Sequence, residues 1–351
     1  TITNTRISNN LNGISINGNN NTITTSTISS NSNYGISITG SHSIITNSTI
    51  SGNGYGLVIT GKNNTITNTR ISNNLNGISI NGNNNTITTS TISSNSNYDI
   101  SINGNNNTII NTAISDSNYG ISITGSHSII TNSTISGNEY GITLYYDSNN
   151  IIFDNIISFN RLYGIYMNKS FGDLIYNNLF DNTDNVYITS GFAYWNVSLR
   201  PGRNIIGGYM IGGNAWLSPS GNGFSQVTPS LPNDPYICDQ PYVISGNNTD
   251  YLPLKYVPAS TYSVTFLESG LPANTLWSVT LNGTTKSSTS NIITFTEPNG
   301  RYYFSVASIN GYSVSPSSGY ITVNGSNVSV STVFSPSSGY ITVNGSNVSV
   351  S

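Results

Sequence analysis

The chain carries little charge, and this limits its partners. Only 7% of its 351 residues are charged, ten are basic, and the formal net charge is -3. No acidic residue occurs before Asp99. Nucleic-acid binding depends on a concentrated Lys/Arg surface, which ten scattered basic residues do not supply. We therefore expect no nucleic-acid partner.

Long apolar runs and cysteine pairs are also lacking. A membrane-spanning helix needs about 20 consecutive apolar residues, whereas the apolar runs here are a few residues long. The single cysteine, Cys238, excludes a disulfide framework within the chain. The sequence starts inside a repeat, without an initiator Met or a signal peptide, so we expect a processed form or a fragment.

What the sequence has in abundance is repetition. Thr1–Tyr34 recurs letter for letter at Thr65–Tyr98, and a shorter period of 21 or 22 residues runs through both copies. Within each unit apolar residues alternate with small polar ones, the pattern of strands with one buried face. Three apolar columns recur, beginning at Ile2, Ile7 and Ile14. The sequence therefore predicts an all-β fold: a right-handed parallel β-helix of about nine coils, each coil being one turn of three short strands.

The corners of the coils carry their own columns. Asn recurs from Asn10 to Asn160, and stacked Asn amides can hydrogen-bond along the axis and tolerate a left-handed backbone. A Gly column, broken by Asp99, marks a turn that needs positive φ or no side chain. A tyrosine column stands just before it: Tyr34, Tyr55, Tyr98, Tyr119, Tyr140 and Tyr163. Stacked tyrosines either stabilise neighbouring coils or offer an aromatic surface to sugars, and the sequence leaves both interpretations open.

These coils resemble archaeal and bacterial β-helix repeat proteins of the NosD and carbohydrate-binding/sugar-hydrolase type. The resemblance covers about residues 1–254 and is sharpest at Gly212–Trp216, Asp239–Tyr242 and Gly246–Leu254. It implies that this last segment closes the end of the β-helix. Residues 262–336 resemble a different module, common in exported archaeal proteins, on Phe266–Pro272, Trp277–Gly283 and Pro298–Tyr303. That resemblance implies an extracellular archaeal origin.

Four segments follow from these patterns. We predict β-helix repeats over 1–195, an end cap and connector over 196–257, an Ig-like β-sandwich over 258–334, and a duplicated C-terminal strand over 335–351. Short alternating strands with Asn-Gly turns support the sandwich, with Trp277 as its core residue.

Candidate sites for chemistry are sparse. The acids of the coils fall on different coils, the closest approach being Asp154, Asp181 and Asp184, so we predict no catalytic residues and no enzyme. His42 and His127 share a corner four coils apart and cannot bind one metal ion. The copper ligands that the NosD name suggests are not clustered. We predict no cofactor, with Asp234 and Asp239 as candidate calcium ligands that would need backbone carbonyls to complete the site.

Asn-x-Ser/Thr acceptors are frequent and favour an exported glycoprotein, although a chain rich in Asn, Ser and Thr forms them by chance. The glycosylation candidates are Asn20, Asn47, Asn63, Asn84, Asn106, Asn132, Asn168, Asn196, Asn247, Asn282, Asn324 and Asn327.

A second exact duplication suggests assembly. Ser315–Ser331 reappears as Ser335–Ser351, and a sandwich needs its last strands only once. The copy could complete the next subunit by strand addition, with Tyr340, Ile341, Val343, Val348 and Val350 as the assembly strand. The first coil also lacks a visible cap, which favours head-to-tail association.

We therefore predict a structural subunit of an extracellular archaeal filament, a pilus-like fibre whose partner is a second copy of the chain. A monomeric surface protein that binds glycans for cell adhesion is the alternative. A polysaccharide-active enzyme is the third candidate, and clustering of Asp154, Asp181 and Asp184 around a cleft would favour it.

Overall fold

The computed structural model describes residues 1–337, which divide into two compact units, Thr1–Val257 and Pro258 onward. The first unit confirms the predicted parallel β-helix of about nine turns. Each coil has a short first strand, a short second strand and a longer third strand, and each strand pairs in parallel with its equivalent in the next coil.

The first strands of successive coils form the first column: Ile2–Thr3, Thr22–Thr24, Ile44–Thr46, Thr65–Thr67, Thr86–Thr88, Thr108–Ile110, Ile129–Thr131 and Ile151–Phe153. The second column is Arg6–Ser8, Thr27–Ser29, Thr49–Ser51, Arg70–Ser72, Thr91–Ser93, Ala113–Ser115, Thr134–Ser136, Ile156–Ser158, Leu179–Asp181 and Ala215–Leu217. The third column is Asn12–Asn17, Tyr34–Thr39, Tyr55–Thr60, Asn76–Asn81, Tyr98–Asn103, Tyr119–Thr124, Tyr140–Tyr145, Tyr163–Tyr176 and Val186–Tyr194. The strand Tyr163–Tyr176 runs on into the first column, where Leu174 pairs with Ile151.

Pairing is in register, so each residue stacks on the equivalent residue of the next coil. Ile71, for example, lies between Ile50 and Ile92, and all three are fully buried. The inward isoleucines of the three columns form one continuous core along the axis. Because each coil buries its apolar side chains against the coils above and below, coils of identical sequence can follow one another.

Buried polar ladders line the corners. The Asn10 ladder comprises Asn10, Asn31, Asn53, Asn74, Asn95, Ser117, Asn138, Asn160 and Asn182. At each step a backbone N–H donates to the side-chain oxygen of the next coil, as Asn74 does to Asn95 Oδ1 at 3.0 Å. The Nδ2 group of Asn74 also donates to Asn95 Oδ1 and to the Ser72 carbonyl. The ladder thus satisfies corner amides that strand pairing leaves without a partner.

Two further ladders occupy the other corners. The Asn21 ladder comprises Asn21, Ser43, Asn64, Asn85, Asn107, Ser128, Asn150 and Asp173. A third corner carries a Ser/Thr/Asn series that ends Asn155, Asn178, Asn214, Asp250. The sequence predicted only the first ladder and associated it with left-handed backbone. The left-handed residues are instead the ones just before it, such as Asn9 and Asn73.

The predicted Gly column has no positive φ; it is required by close packing. A Cβ on Gly77 would lie 2.5 Å from the Asp99 carbonyl oxygen and 2.8 Å from Asn95 Nδ2. Asp99 occupies this column because the next ladder residue is the small Ser117. The Ser117 hydroxyl donates to Asp99 Oδ1 at 2.6 Å, and Asn95 Nδ2 donates to the same atom at 2.7 Å.

The last coils are covered by residues 195–257. Their strands are Arg200–Pro201, Met210–Ile211, Ser230–Leu231, Asp234–Cys238, Tyr242–Ser245 and Asn248–Asp250, with one short helix, Phe224–Val227. Trp216 stacks on Phe180 with ring centroids 4.7 Å apart. The buried Asp250 accepts hydrogen bonds from Trp216 Nε1 at 2.9 Å and from the Asn214 backbone at 2.8 Å. This segment extends the apolar core and the third ladder by one layer.

The second unit consists of two four-stranded sheets. One contains, in order, Ile292–Pro298, Thr261–Ser269, Val328–Pro336 and Tyr312–Ser315, and the other Thr284–Ser288, Trp277–Leu281, Gly300–Val306 and Ser318–Val323. Trp277, Phe266 and Phe334 are buried in their shared core. The strand Val328–Pro336 includes the first two residues of the second copy of the duplicated segment, Ser335 and Pro336. Both pair with the strand Tyr312–Ser315, Pro336 with Tyr312.

The ladder should dominate the stability of the β-helix. Replacing Asn74 by Ala removes the acceptor of the buried Asn53 backbone N–H and Nδ2 group and the side-chain donor to the Ser72 carbonyl, at a cost of about 1–3 kcal/mol for each group left unsatisfied. Urea unfolding monitored by circular dichroism should show that loss. Asn118→Ala, at an exposed residue of the same type, should unfold within about 0.5 kcal/mol of wild type; equal losses in the two variants would contradict the ladder's role.

Candidate functional site

A trough runs along the exposed face of the third column. Its wall consists of Tyr98, Tyr119 and Tyr140, and its floor of Ser101, Ser122 and Thr143, the outward residues of the same three strands. Thr124 and Tyr145 line the far side. The trough encloses ≈ 530 Å³, within the range of ligand pockets.

The wall tyrosines are stacked face to face. The ring centroids of Tyr98 and Tyr119 lie 4.7 Å apart, and those of Tyr119 and Tyr140 4.9 Å apart, with interplanar angles of 19° and 10°. Because the ring faces cover one another, the tyrosines present their ring edges and phenol hydroxyl groups to the trough. Stacking of neighbouring coils, one of the two interpretations of this column, is thus part of its role.

Breaks in the columns define the two ends of the trough. The coil before Tyr98 has Asn76 in the tyrosine column, so the wall begins at Tyr98. Beyond Thr143 the floor column continues with Tyr166, whose ring stands at 83° to that of Tyr140 with centroids 5.8 Å apart. The large ring closes the floor. Both breaks can be read from the aligned coils. Sequence reasoning offered the tyrosine column as a sugar surface but missed the floor and the two ends, because it compared only the tyrosines.

The lining is uncharged and rich in hydroxyl groups. It consists of Tyr, Ser and Thr side chains. Burial, and next the neighbouring Tyr98 and Tyr140, raise the pKa of Tyr119 above its usual value. Burial, and next Glu139, likewise raise the pKa of Tyr140. The phenols thus stay protonated at neutral pH and can both donate and accept hydrogen bonds.

The three candidate acids do not meet around a cleft. Asp154 lies at the corner before the strand Ile156–Ser158 and accepts a hydrogen bond from Asn177 Nδ2. Asp181 pairs with Ser158 at the other end of that strand. Asp184 is exposed in the following loop. A pair of carboxylates facing one scissile bond is not formed by these residues.

Most of the glycosylation candidates in the coils have a structural explanation. Asn20, Asn47, Asn63, Asn84, Asn106 and Asn132 all have left-handed backbone with φ between 49° and 58°. Asn tolerates this conformation better than other non-Gly residues, and the Ser or Thr two residues later begins the next strand. The acceptor motif thus arises from corner geometry. Asn282 shares this conformation, whereas Asn168, Asn196, Asn247, Asn324 and Asn327 do not.

The candidate metal ligands remain apart. Asp234 and Asp239 stand at either end of the strand Asp234–Cys238, about 16 Å apart at 3.3 Å per residue. His42 and His127 occupy left-handed corners four coils apart, about 19 Å along the axis. Within residues 1–337, no group of three or more His, Cys, Asp or Glu side chains is placed to hold a metal ion. Tyr340, Ile341, Val343, Val348 and Val350 lie outside the described residues.

Comparisons with known proteins agree with the coiled architecture. Residues 1–85 match the family described as a right-handed β-helix region, and residues 60–221 match the family described as periplasmic copper-binding protein NosD. The chain is a right-handed β-helix repeat protein. No curated protein matches it.

Solved structures with the same coiled form are distant. A pectate lyase shares 15% identity with a TM-score of 0.39, and the match covers 47% of this chain and 58% of the lyase. An alginate lyase from Paenibacillus shares 14% at a TM-score of 0.37, covering 48% and 74%. A tailspike protein of an Escherichia coli O157:H7 bacteriophage shares 14% at 0.45, covering 87% and 59%. The chain thus spans under two thirds of the pectate lyase and the tailspike, and these values indicate nothing about its activity.

The donors in this β-helix repeat protein do not fit copper. Copper sites gather soft ligands and imidazoles, but Met167 is buried in the isoleucine core and the two histidines are four coils apart. Cys238 is buried, and burial raises the pKa of its thiol to about 12. A thiol that holds its proton is a poor metal ligand.

Asp99 should make the stability of the protein depend on pH. Burial raises its pKa to about 8, against the hydrogen bonds from Ser117 and Asn95. The folded state therefore keeps a proton that the unfolded state releases near pH 4, so stability falls as pH rises from about 4 to 8 and levels off above. Asp99→Asn removes this contribution. In thermal unfolding the variant should match wild type at pH 4 and exceed it at pH 8 by at least about 1 kcal/mol.

If the difference in stability between Asp99→Asn and wild type were the same at pH 4 and at pH 8, Asp99 would be ionised in the folded protein at pH 8. That result would contradict the raised pKa. Asp147 and Asp250 are unchanged in both proteins, so they cancel in the comparison.

Proposed function

We propose that this chain belongs to an exported surface protein and that the trough of its β-helix binds a neutral polysaccharide without cleaving it. The trough carries the proposal because it combines an extended shape with an uncharged, hydroxylated lining. Sugars present hydroxyl groups to accept and donate hydrogen bonds, and C–H faces to contact ring edges.

The dimensions support an extended ligand. From Tyr98 to the coil of Tyr166 the trough crosses three coil steps, about 14 Å at 4.8 Å per step. A repeating ligand can use a row of equivalent Ser and Thr hydroxyls on the floor and phenols on the wall. No lining residue carries a charge, so nothing in the trough favours an acidic polysaccharide over a neutral one.

Binding without cleavage is part of the proposal. Glycoside hydrolysis uses two carboxyl groups that flank the scissile bond, and the trough lining contains none. The acids of the last coils belong to other corners. The protein would therefore retain its ligand.

Location outside the cytoplasm is also proposed. The matching NosD family is described as periplasmic, and none of the helices in residues 1–337 is long and apolar enough to cross a membrane. A sparsely charged surface with exposed tyrosines suits contact with cell-wall or capsular glycans.

Two identical hexapeptides provide a matched test. Tyr34–Thr39 and Tyr119–Thr124 both read YGISIT, but only the second lines the trough. Tyr119→Ala and Ser122→Trp should weaken binding of a neutral polysaccharide at least tenfold, by removing the wall or filling the floor. Tyr34→Ala and Ser37→Trp make the same changes outside the trough and should leave affinity within about twofold.

Affinity gel electrophoresis against cellulose derivatives, mannan and β-1,3-glucan, with pectate and alginate as acidic comparisons, gives the measurement. Binding to none of the neutral polymers, or equal losses in the Tyr34 and Tyr119 variants, would contradict the proposal.

Assembly by strand exchange is a second candidate function, supported by the place of Ser318–Val323 in the sandwich. This edge strand pairs with Gly300–Val306 and buries Ile321 and Val323, while Tyr320 and Thr322 face outward. The identical sequence recurs at Ser338–Val343. A site that accepts the first copy in one chain can accept the second copy of another chain, which would link copies head to tail.

Ile341→Asp should abolish such assembly, because its equivalent Ile321 is 8% exposed. Thr342→Asp is the control, since Thr322 is exposed. Truncation after Ser337 preserves Phe334, which belongs to the sandwich core, and should also leave monomers. Negative-stain electron microscopy and light scattering report the outcome; filaments formed by the truncated chain would sink the strand-exchange hypothesis.

A further inference from the structure

One corner of the β-helix departs from the repeat in two successive coils. In earlier coils a Gly column, including Gly104 and Gly125, turns the chain from the third strand towards the first strand of the next coil. Six residue steps separate Ile123 from Ile129, but seven separate Leu144 from Ile151 and seven separate Met167 from Leu174. The longer corners hold Asp147 in one coil and Ser170 to Asp173 in the next.

These two corners are in direct contact. Ser148 pairs with Phe171, and the Phe171 N–H donates to the Asp147 carbonyl at 3.2 Å. Asp147 and the turn from Ser170 to Asp173 therefore stack along the axis, one coil apart.

Asp147 is buried without a hydrogen-bond partner. Its side chain is 4% exposed, and within residues 1–337 neither carboxyl oxygen has a hydrogen bond of normal geometry, since the neighbouring Ser170 hydroxyl donates to Asp173 instead. Asp173, which is fully buried, is by contrast well bonded. Its Oδ1 accepts from the Asn150 backbone at 2.8 Å and from Asn150 Nδ2 at 3.0 Å, and its Oδ2 accepts from the Ser170 hydroxyl.

No basic side chain of the described part compensates this pair. The nearest in sequence, Lys169, donates from Nζ to the Tyr146 hydroxyl at 2.9 Å and lies over the Tyr146 ring. Two buried carboxylates without a counter-charge are costly. Without a cation, burial and then the Asp173 carboxylate raise the pKa of Asp147 to about 8.

We propose that Asp147, Ser170 and Asp173 bind a calcium ion at this corner. The donors are all oxygen atoms, which select a hard cation, and calcium tolerates the irregular geometry of a turn with backbone carbonyls completing its shell. Magnesium is less suited because it usually keeps several waters, whereas Asp147, Ser170 and Asp173 are all buried. A divalent ion matches the charge of the two carboxylates, and it would fix the corner that follows Tyr145.

Terbium luminescence and calcium titration on the full chain test the site. After treatment with a chelator, the protein should bind one Tb³⁺ whose emission is sensitised by the adjacent Tyr145 and Tyr146, and Ca²⁺ should displace it. Calcium should also raise the melting temperature at pH 7.5. Asp147→Asn should weaken binding at least tenfold and abolish the calcium-dependent shift.

Asp99→Asn is the matched control, because Asp99 is an equally buried acid with no second carboxylate at hydrogen-bond distance; it should bind calcium like wild type. The proposal is overturned if wild type shows no calcium response, or if Asp147→Asn retains it. An Asp147→Asn variant that is more stable than wild type while calcium has no effect would show that Asp147 is buried without a cation, and would also overturn the proposal. None of these results depends on glycan binding.

Discussion

The structure depends on one constraint: every coil must stack on the next in register, so that each buried corner amide meets a side-chain oxygen one coil on. The step from Asn74 to Asn95, a backbone and a side-chain donor sharing one acceptor, repeats along the axis with little variation. Each ladder residue accepts through its side-chain oxygen and donates through its backbone N–H, so internal positions hold Asn or the smaller Ser, whose side chains carry both an acceptor and a donor. The isoleucine core, the Gly column and the stacked tyrosines all follow from the register that the ladders fix.

That constraint also explains where aspartate is tolerated. A ladder's final residue only has to accept, so its side chain needs no donor. Asp173 ends the Asn21 ladder and Asp250 ends the third ladder. Each carboxylate accepts a hydrogen bond from the backbone N–H of the preceding ladder Asn. Asp99 lies beside the Asn10 ladder. Its side chain is accommodated because the ladder residue of the next coil is Ser117 instead of Asn. Asp147 belongs to none of these cases: it neither ends a ladder nor lies beside a ladder Ser. Its corner therefore differs from all the others that hold a buried aspartate.

The sequence predicts the coil well, because a residue's environment in a solenoid is decided by neighbours one period away. The strand columns and the Asn10 ladder follow from aligning the repeats. The other two ladders were missed because Ser, Thr and Asn alternate in them, and their shared role as acceptors is not evident from the letters. The left-handed corners were assigned to the wrong residues for a related reason: Asn73 and Asn74 are the same amino acid, but only the second faces inward. The trough depends on differences between coils: Asn76 interrupts the tyrosine column and Tyr166 interrupts the Ser/Thr floor column. Aligning the repeats for their similarity does not reveal such differences. The buried pair at Asp147 and Asp173 depends on a one-residue insertion that changes which side chains point inward.

The coils that repeat supply length and stability, and the coils that depart from the repeat carry the two proposed sites. The most direct test is a crystal structure of the protein soaked with the neutral oligosaccharide that it binds best. Density for the sugar should lie along Ser101, Ser122 and Thr143, between the tyrosine wall and Tyr145, and be absent from the identical hexapeptide at Tyr34–Thr39. Sugar bound equally at both hexapeptides, or only elsewhere on the surface, would contradict the account.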